Sequence, residues 1–271
     1  MPDSVALRVR RKPADPAVSR GHRGSVIAMH RALAQFDLGP MNLFSGIWLC
    51  FSFSFIWLEL LGPVCRFWGR LLGWALLQLP SHAQLAIAEY QVRSFSLQVP
   101  YLEIQLVLPD ALIWSSTCGV TLVGLALTFF LPHRIMPVAY LARAILLVQA
   151  SALLYFALWP SRFPHTPGSY MEGLASAGLC LISIVPFLFA CTYYIFTVAL
   201  WKKALLTTLA MAYLVLFFPL QMLVEALVLE KSVLFLPPLY IVFGLPLDVL
   251  LLVAFYSWGM TWSFRGERKA H

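Results

Sequence analysis

Charge is scarce in this sequence. Only 11% of its 271 residues are Asp, Glu, Lys or Arg, whereas 61% are hydrophobic, and the mean hydropathy is +0.80. A soluble domain is nearer a quarter charged and half apolar, so this composition excludes an ordinary soluble fold. Histidine is missing from every long apolar run: His22, His30, His82, His133, His165 and His271 all fall between runs, which excludes a membrane haem held by paired histidines. There is no C-x-x-C, no H-E-x-x-H, no phosphate-binding glycine loop and no dinucleotide fingerprint, and no cofactor is expected. Gly173 to Gly178 reads G-x-x-S-x-G, one residue too long for a nucleophile elbow, and it opens an apolar run instead of following a strand. The 5 cysteines are too dispersed for a disulfide framework: Cys50, Cys118, Cys180 and Cys191 fall in apolar runs as small core residues, and Cys65 lies near an exposed edge. A Cys65 nucleophile with His82 or His165 has no spacing signature to support it.

What the sequence has is long apolar runs. Several reach the roughly 20 residues that a helix needs to cross a hydrocarbon core of about 30 Å. Barrel strands of about 10 residues alternating in polarity do not dominate. The expected fold is an all-α polytopic membrane protein, a bundle of six transmembrane helices with both termini inside and a small extracytoplasmic segment after the first span. The spans are placed at Leu43 to Val64, Ala111 to Leu131, Ala139 to Trp159, Leu174 to Thr197, Ala204 to Leu229 and Leu234 to Trp258.

The net charge of +7 follows this topology and does not imply a nucleic-acid partner. Arg8, Arg10, Arg11, Lys12, Arg20, Arg23 and Arg31 precede the first run, and Arg134, Arg143, Lys202, Lys203, Arg265, Arg268 and Lys269 fall on the same side. Only Arg66, Arg70, Arg93, Arg162 and Lys231 fall opposite, the bias that orients helices with positive loops inside. The lipid bilayer, with anionic headgroups, is the first partner this implies.

Residues 1–40 form a basic cytoplasmic extension whose Val26, Met29, Leu33 and Phe36 recur at helical spacing, suiting a short amphipathic helix on the inner headgroups or a lead into the first span. No A-x-A type site follows, so the first span, 41–64, is expected to be an uncleaved anchor closed by Pro63. Residues 65–110 are the extracytoplasmic segment. Phe67 to Leu79 suits an amphipathic helix on the outer leaflet or a prolongation of the first span. Phe95, Leu97 and Val99, then Leu102, Ile104 and Leu106, alternate with polar residues on either side of Pro100, which predicts two short strands. Two strands are marginal alone, so they should lean on the helices or on another membrane or envelope protein. Residues 111–262 hold the other five spans, and 263–271 is a basic tail.

Two groups of polar residues stand out, because an ionised acid at the bilayer centre costs at least roughly 2.5 kcal/mol. Asp248 lies midway along the last span beside Pro246, which cannot donate to the Val242 carbonyl and so predicts a kink. Counting depth from the loops puts Thr121, Gln149, Ser183 and Tyr213 in its layer, giving Asp248, Tyr213 and Gln149 as a candidate intramembrane site: packing contact, ion coupling or catalysis. Gln221 and Glu225 share one face of the fifth span. With Glu59, Arg66 and Arg162 they make a candidate outer-mouth site, suited to a polar headgroup, a glycan or a peptide, or to interfacial salt bridges. The layout of anchor helix, strand-bearing outer segment and multi-span bundle is similar to that of accessory proteins of bacterial envelope systems. The first reading is therefore a non-enzymatic inner-membrane accessory subunit of an envelope assembly for secretion, surface-protein sorting or polysaccharide export. The alternatives are a small transporter or ion-coupled protein using Asp248, and an enzyme acting on a lipid-linked substrate through Glu59, Glu225 and Arg162.

Overall fold

The computed structural model describes residues 40–92, 95–132, 135–160, 163, 166–193 and 199–267. The expected helix of the N-terminal extension, Arg134, Arg162, His165 and the end of the basic tail lie outside the described residues.

The protein is a helical membrane protein with a small two-stranded sheet. Among the described residues, five helical stretches are long and apolar enough to cross a membrane, and a sixth apolar helix is shorter. The outside of the bundle is greasy, with Phe130 84% and Leu112 74% exposed, whereas acids and amides lie inside. Lipid as the surrounding solvent accounts for that inversion.

Helix α1, Pro40–Gln78, is 39 residues long, about 58 Å at 1.5 Å per residue, and it runs straight through Pro63. The first span is thus prolonged by the predicted amphipathic stretch. The reason is a buried stripe of Trp57, Leu61, Cys65, Trp68, Leu72 and Ala75, whose spacing of threes and fours continues across the proline. An unbroken helix keeps that stripe on one face, and one lost backbone hydrogen bond is a modest cost beside its burial. Cys65, expected near an exposed edge, is in this stripe, while Cys180 and Cys191 face outward. All five cysteines are free.

A β-hairpin follows. Strand β1, Gln84–Val92, pairs antiparallel with β2, Phe95–Glu103, from Val92↔Phe95 to Gln84↔Glu103. Here the sequence reading needs correcting: Pro100 does not divide two strands but sits inside one, and the partner strand lies upstream. Only residues 93 and 94 separate the closing pair, which is therefore hydrogen-bonded. Alternation from there makes Ile87↔Pro100 a non-hydrogen-bonded pair, so the missing N–H of Pro100 falls on the outer edge of β2, where the ladder does not need it. The hairpin is wedged between two helices. Its Pro100 face packs on Gly69 of α1, and its Ala88/Val99 face turns to α4, Pro167–Tyr193, where the Tyr90 hydroxyl donates to Glu172 at 3.0 Å. Burial, with Glu172 adding to it, raises the Tyr90 phenol above its ordinary value, so it stays a neutral donor.

Helices α1, α4 and α5 (Leu200–Leu229) form the core with α7 (Leu245–Glu267). Gly178 of α4 lets the ring of Phe218 close onto the backbone, since a Cβ there would lie 2.8 Å from it. Trp68 completes the contact. Its indole N–H donates 2.7 Å to the Val215 carbonyl, the acceptor that Pro219 four residues later cannot reach. Helices α2 (Ala111–Leu127) and α3 (Met136–Leu158) pair beside this core. Arg143 donates at 3.0 Å to the Thr128 carbonyl and at 3.1 Å to its hydroxyl, capping the end of α2. Lys203 is buried and donates to the Tyr193 carbonyl at 3.0 Å.

The last apolar run is broken. A 3-10 turn, Val233–Phe235, leads into the short α6, Leu236–Val242, and α7 starts after Phe243 and Gly244. Pro246 does not kink a continuous helix but sits in the first turn of a new one, where proline is tolerated. Gly244 permits the break, for a Cβ there would lie 2.2 Å from the Tyr240 carbonyl oxygen.

Candidate functional site

The break in the last run decides where Asp248 goes. Residues 233–243 are used up in the 3-10 turn and α6, which packs against α3, so Asp248 enters in the first turn of α7. It is 0% exposed. A helix N-terminus favours an anion there, because its unpaired N–H groups carry about half a positive charge.

Glu225, on α5 about one turn from the end of that helix at Leu229, is within electrostatic range of Asp248 and is likewise 0% exposed. Gln221, one turn earlier on the same face, is 2% exposed. Tyr170, in the first turns of α4, is within electrostatic range of both acids, and its hydroxyl is directed at Glu225. Tyr213 also lies within range of Asp248. Asp248 and Glu225, expected in separate intramembrane and outer-mouth groups, thus interact with each other and with Tyr170, a residue the sequence did not single out, while Tyr213 interacts with Asp248 and Gln221 shares the face of Glu225.

Four of these groups have no formed hydrogen bond within 3.5 Å: both oxygens of Glu225 and of Asp248, the amide of Gln221 and the Tyr170 hydroxyl are buried without a protein partner. No Lys, Arg or His among the described residues pairs with either acid. Buried polar atoms are normally satisfied, so this concentration of unsatisfied ones makes these residues the candidate site.

The other expected companions are engaged elsewhere. Gln149 donates from Nε2 to the Leu234 carbonyl at 3.4 Å, supporting the 3-10 turn, while its Oε1 is buried without a protein partner. Thr121 donates to the Thr117 carbonyl at 2.7 Å, and Ser183 accepts the Trp57 indole N–H at 2.7 Å. Of the expected outer-mouth residues, Glu59 and Arg66 are exposed on α1, whereas Glu225 is buried on α5.

A second feature lies at the hairpin. A groove of about 510 Å³ runs between α1 and the sheet, lined by Gly62, Cys65 and Gly69 on one side and Leu85, Ile87 and Pro100 on the other, with Arg66 at its edge. Leu85 and Ile87 are 40% and 58% exposed. The two strands close no further ladder among the described residues, and β1 presents an edge without proline or lysine. The segment is anchored from below, where the Glu230 carboxylate accepts from the Ser81 hydroxyl and, at 2.7 Å, from the Ala83 backbone N–H.

The chain matches no family model, no curated protein and no solved structure. Function therefore has to be argued from these two features. No group of three or more His, Cys, Asp or Glu able to hold a metal ion occurs among the described residues.

Proposed function

We propose that this protein is a non-enzymatic accessory subunit of an envelope assembly in a bacterial inner membrane, serving secretion, surface-protein sorting or polysaccharide export. In this reading α2, although only 17 residues and about 25 Å long, makes a sixth crossing, and both termini are cytoplasmic. The hairpin then lies outside, on the prolonged end of α1.

The observation that carries the reading is the open edge of β1. Its outward-pointing backbone groups are those of Leu85, Ile87, Glu89 and Gln91, since the alternate residues face β2. Such an edge is a template for an added strand, and natural proteins usually block theirs with proline, lysine or a covering element. The outer edge of β2 is blocked, by Pro100 and by packing on the helices. The edge of β1 is not, and the apolar groove beside it would receive the side chains of an extended segment from a partner protein.

The test is co-purification from native membranes in mild detergent, with Ile87→Pro as the discriminating variant. That change removes one outward N–H and spares the ladder to β2, because Ile87 occupies a non-hydrogen-bonded position. A stoichiometric companion lost in Ile87→Pro supports the reading. A chain that runs alone, or a companion indifferent to the substitution, opposes it.

A further inference from the structure

We infer that Tyr170, Gln221, Glu225 and Asp248 form an oxygen-lined binding site for a hard cation of the calcium type at the break between α6 and α7. The inference is independent of the subunit reading, since it uses none of the hairpin. Three helices bring the groups together: α4 supplies the phenol, α5 the amide and one carboxylate, and α7 the other carboxylate. Both acids and the amide are almost wholly buried, and none of their oxygens is claimed by a protein donor.

Charge selects the ligand. Two ionised carboxylates would place two negative charges in an apolar bundle where no cationic side chain among the described residues bonds to either, an arrangement that is costly unless compensated. Protons would remove the charge, but a neutral Asp248 forgoes the favourable field at the start of α7. A divalent cation cancels both charges and keeps that field. Donor chemistry then narrows the choice. Carboxylate, amide and phenol oxygens suit a hard ion, and a site shared by three separate helices suits the flexible six- to eight-fold shell of calcium better than the strict octahedron of magnesium. Entry is short, because Glu225 lies about one turn from the end of α5 and Asp248 sits next to the chain break at Phe243 and Gly244.

The experiment uses the full chain in detergent micelles, stripped with a chelator. Isothermal titration with calcium, magnesium and sodium salts measures binding, and thermal unfolding with and without each ion measures its consequence. Calcium should bind at one site per chain, and at a hundredfold excess over Kd should raise Tm by about 5 °C. Glu225→Gln and Asp248→Asn should each lose the binding and the increment, while Glu59→Gln, an exposed acid on α1, keeps both. Wild-type protein that binds none of the ions overturns the proposal. So do the isosteric variants if they keep calcium binding. Variants more stable than a wild type that ignores calcium would mark the pair as protonated packing contacts.

Discussion

Replacing Trp68 with Phe should cost about 2 to 4 kcal/mol of unfolding free energy, and the reason lies in a proline on another helix. Pro219 has no N–H, so the Val215 carbonyl loses its helical partner, and the Trp68 indole supplies the substitute at 2.7 Å. Trp68 is fully buried, so Phe leaves an unsatisfied buried carbonyl, worth about 1 to 3 kcal/mol, together with the void left by the smaller ring. The two contributions separate in a double-mutant cycle. Pro219→Ala restores an N–H four residues after Val215, and in that background Trp68→Phe should lose only the packing part. The predicted coupling is therefore about 1 to 3 kcal/mol, read from denaturant unfolding in mixed micelles with tryptophan-independent circular dichroism. If Trp68→Phe costs the same in both backgrounds within about 0.5 kcal/mol, the carbonyl is not the reason this indole is there.

Gly244→Ala should destabilise by about 2 kcal/mol or more, because its Cβ meets backbone at 2.2 Å, whereas Gly119→Ala, with open space around it, should be neutral or slightly stabilising; paired melting curves check both. Gly178→Ala should cost about 1 to 3 kcal/mol against the Phe218 ring and be partly rescued by Phe218→Leu, measured in the same unfolding assay. Glu230→Ala removes the acceptor of the Ser81 hydroxyl and the Ala83 N–H, so hydrogen exchange should quicken across 84–103 while α4 and α5 keep their protection; unchanged exchange in the hairpin would show that Glu230 does not anchor it. Arg143→Ala should loosen the end of α2, seen as faster exchange at residues 124–128.

How much of this was legible in the sequence varies with the kind of signal. Long apolar runs announced the membrane helices, and the spacing from Trp57 to Ala75 already contained an uninterrupted α1, which the rule that proline ends a helix concealed. The hairpin was half visible. Phe95, Leu97 and Val99 alternate with polar residues, but in β1 the apolar Leu85 and Ile87 alternate with Ala86 and Ala88, so polarity carries no period there. Asp248, Gln221 and Glu225 were visible as costly residues in an apolar context. Their convergence was not, because depth was counted along a straight last span, whereas the chain spends residues 233–243 on a 3-10 turn and a short helix before α7 begins. Tyr170 carried no signal at all, being one of 10 tyrosines in a chain where rings favour interfaces.

The claim on which the account rests is that Glu225 and Asp248 face each other inside the bundle, and intramolecular cross-linking tests it most directly. In a chain with its native cysteines replaced by serine or alanine, Glu225→Cys with Asp248→Cys should be joined by a short bifunctional thiol reagent. Trp57→Cys with Ser183→Cys, whose native side chains touch at 2.7 Å, serves as the positive control. Efficient joining of both pairs is the predicted result; a control that links while the Glu225–Asp248 pair stays open would contradict the account.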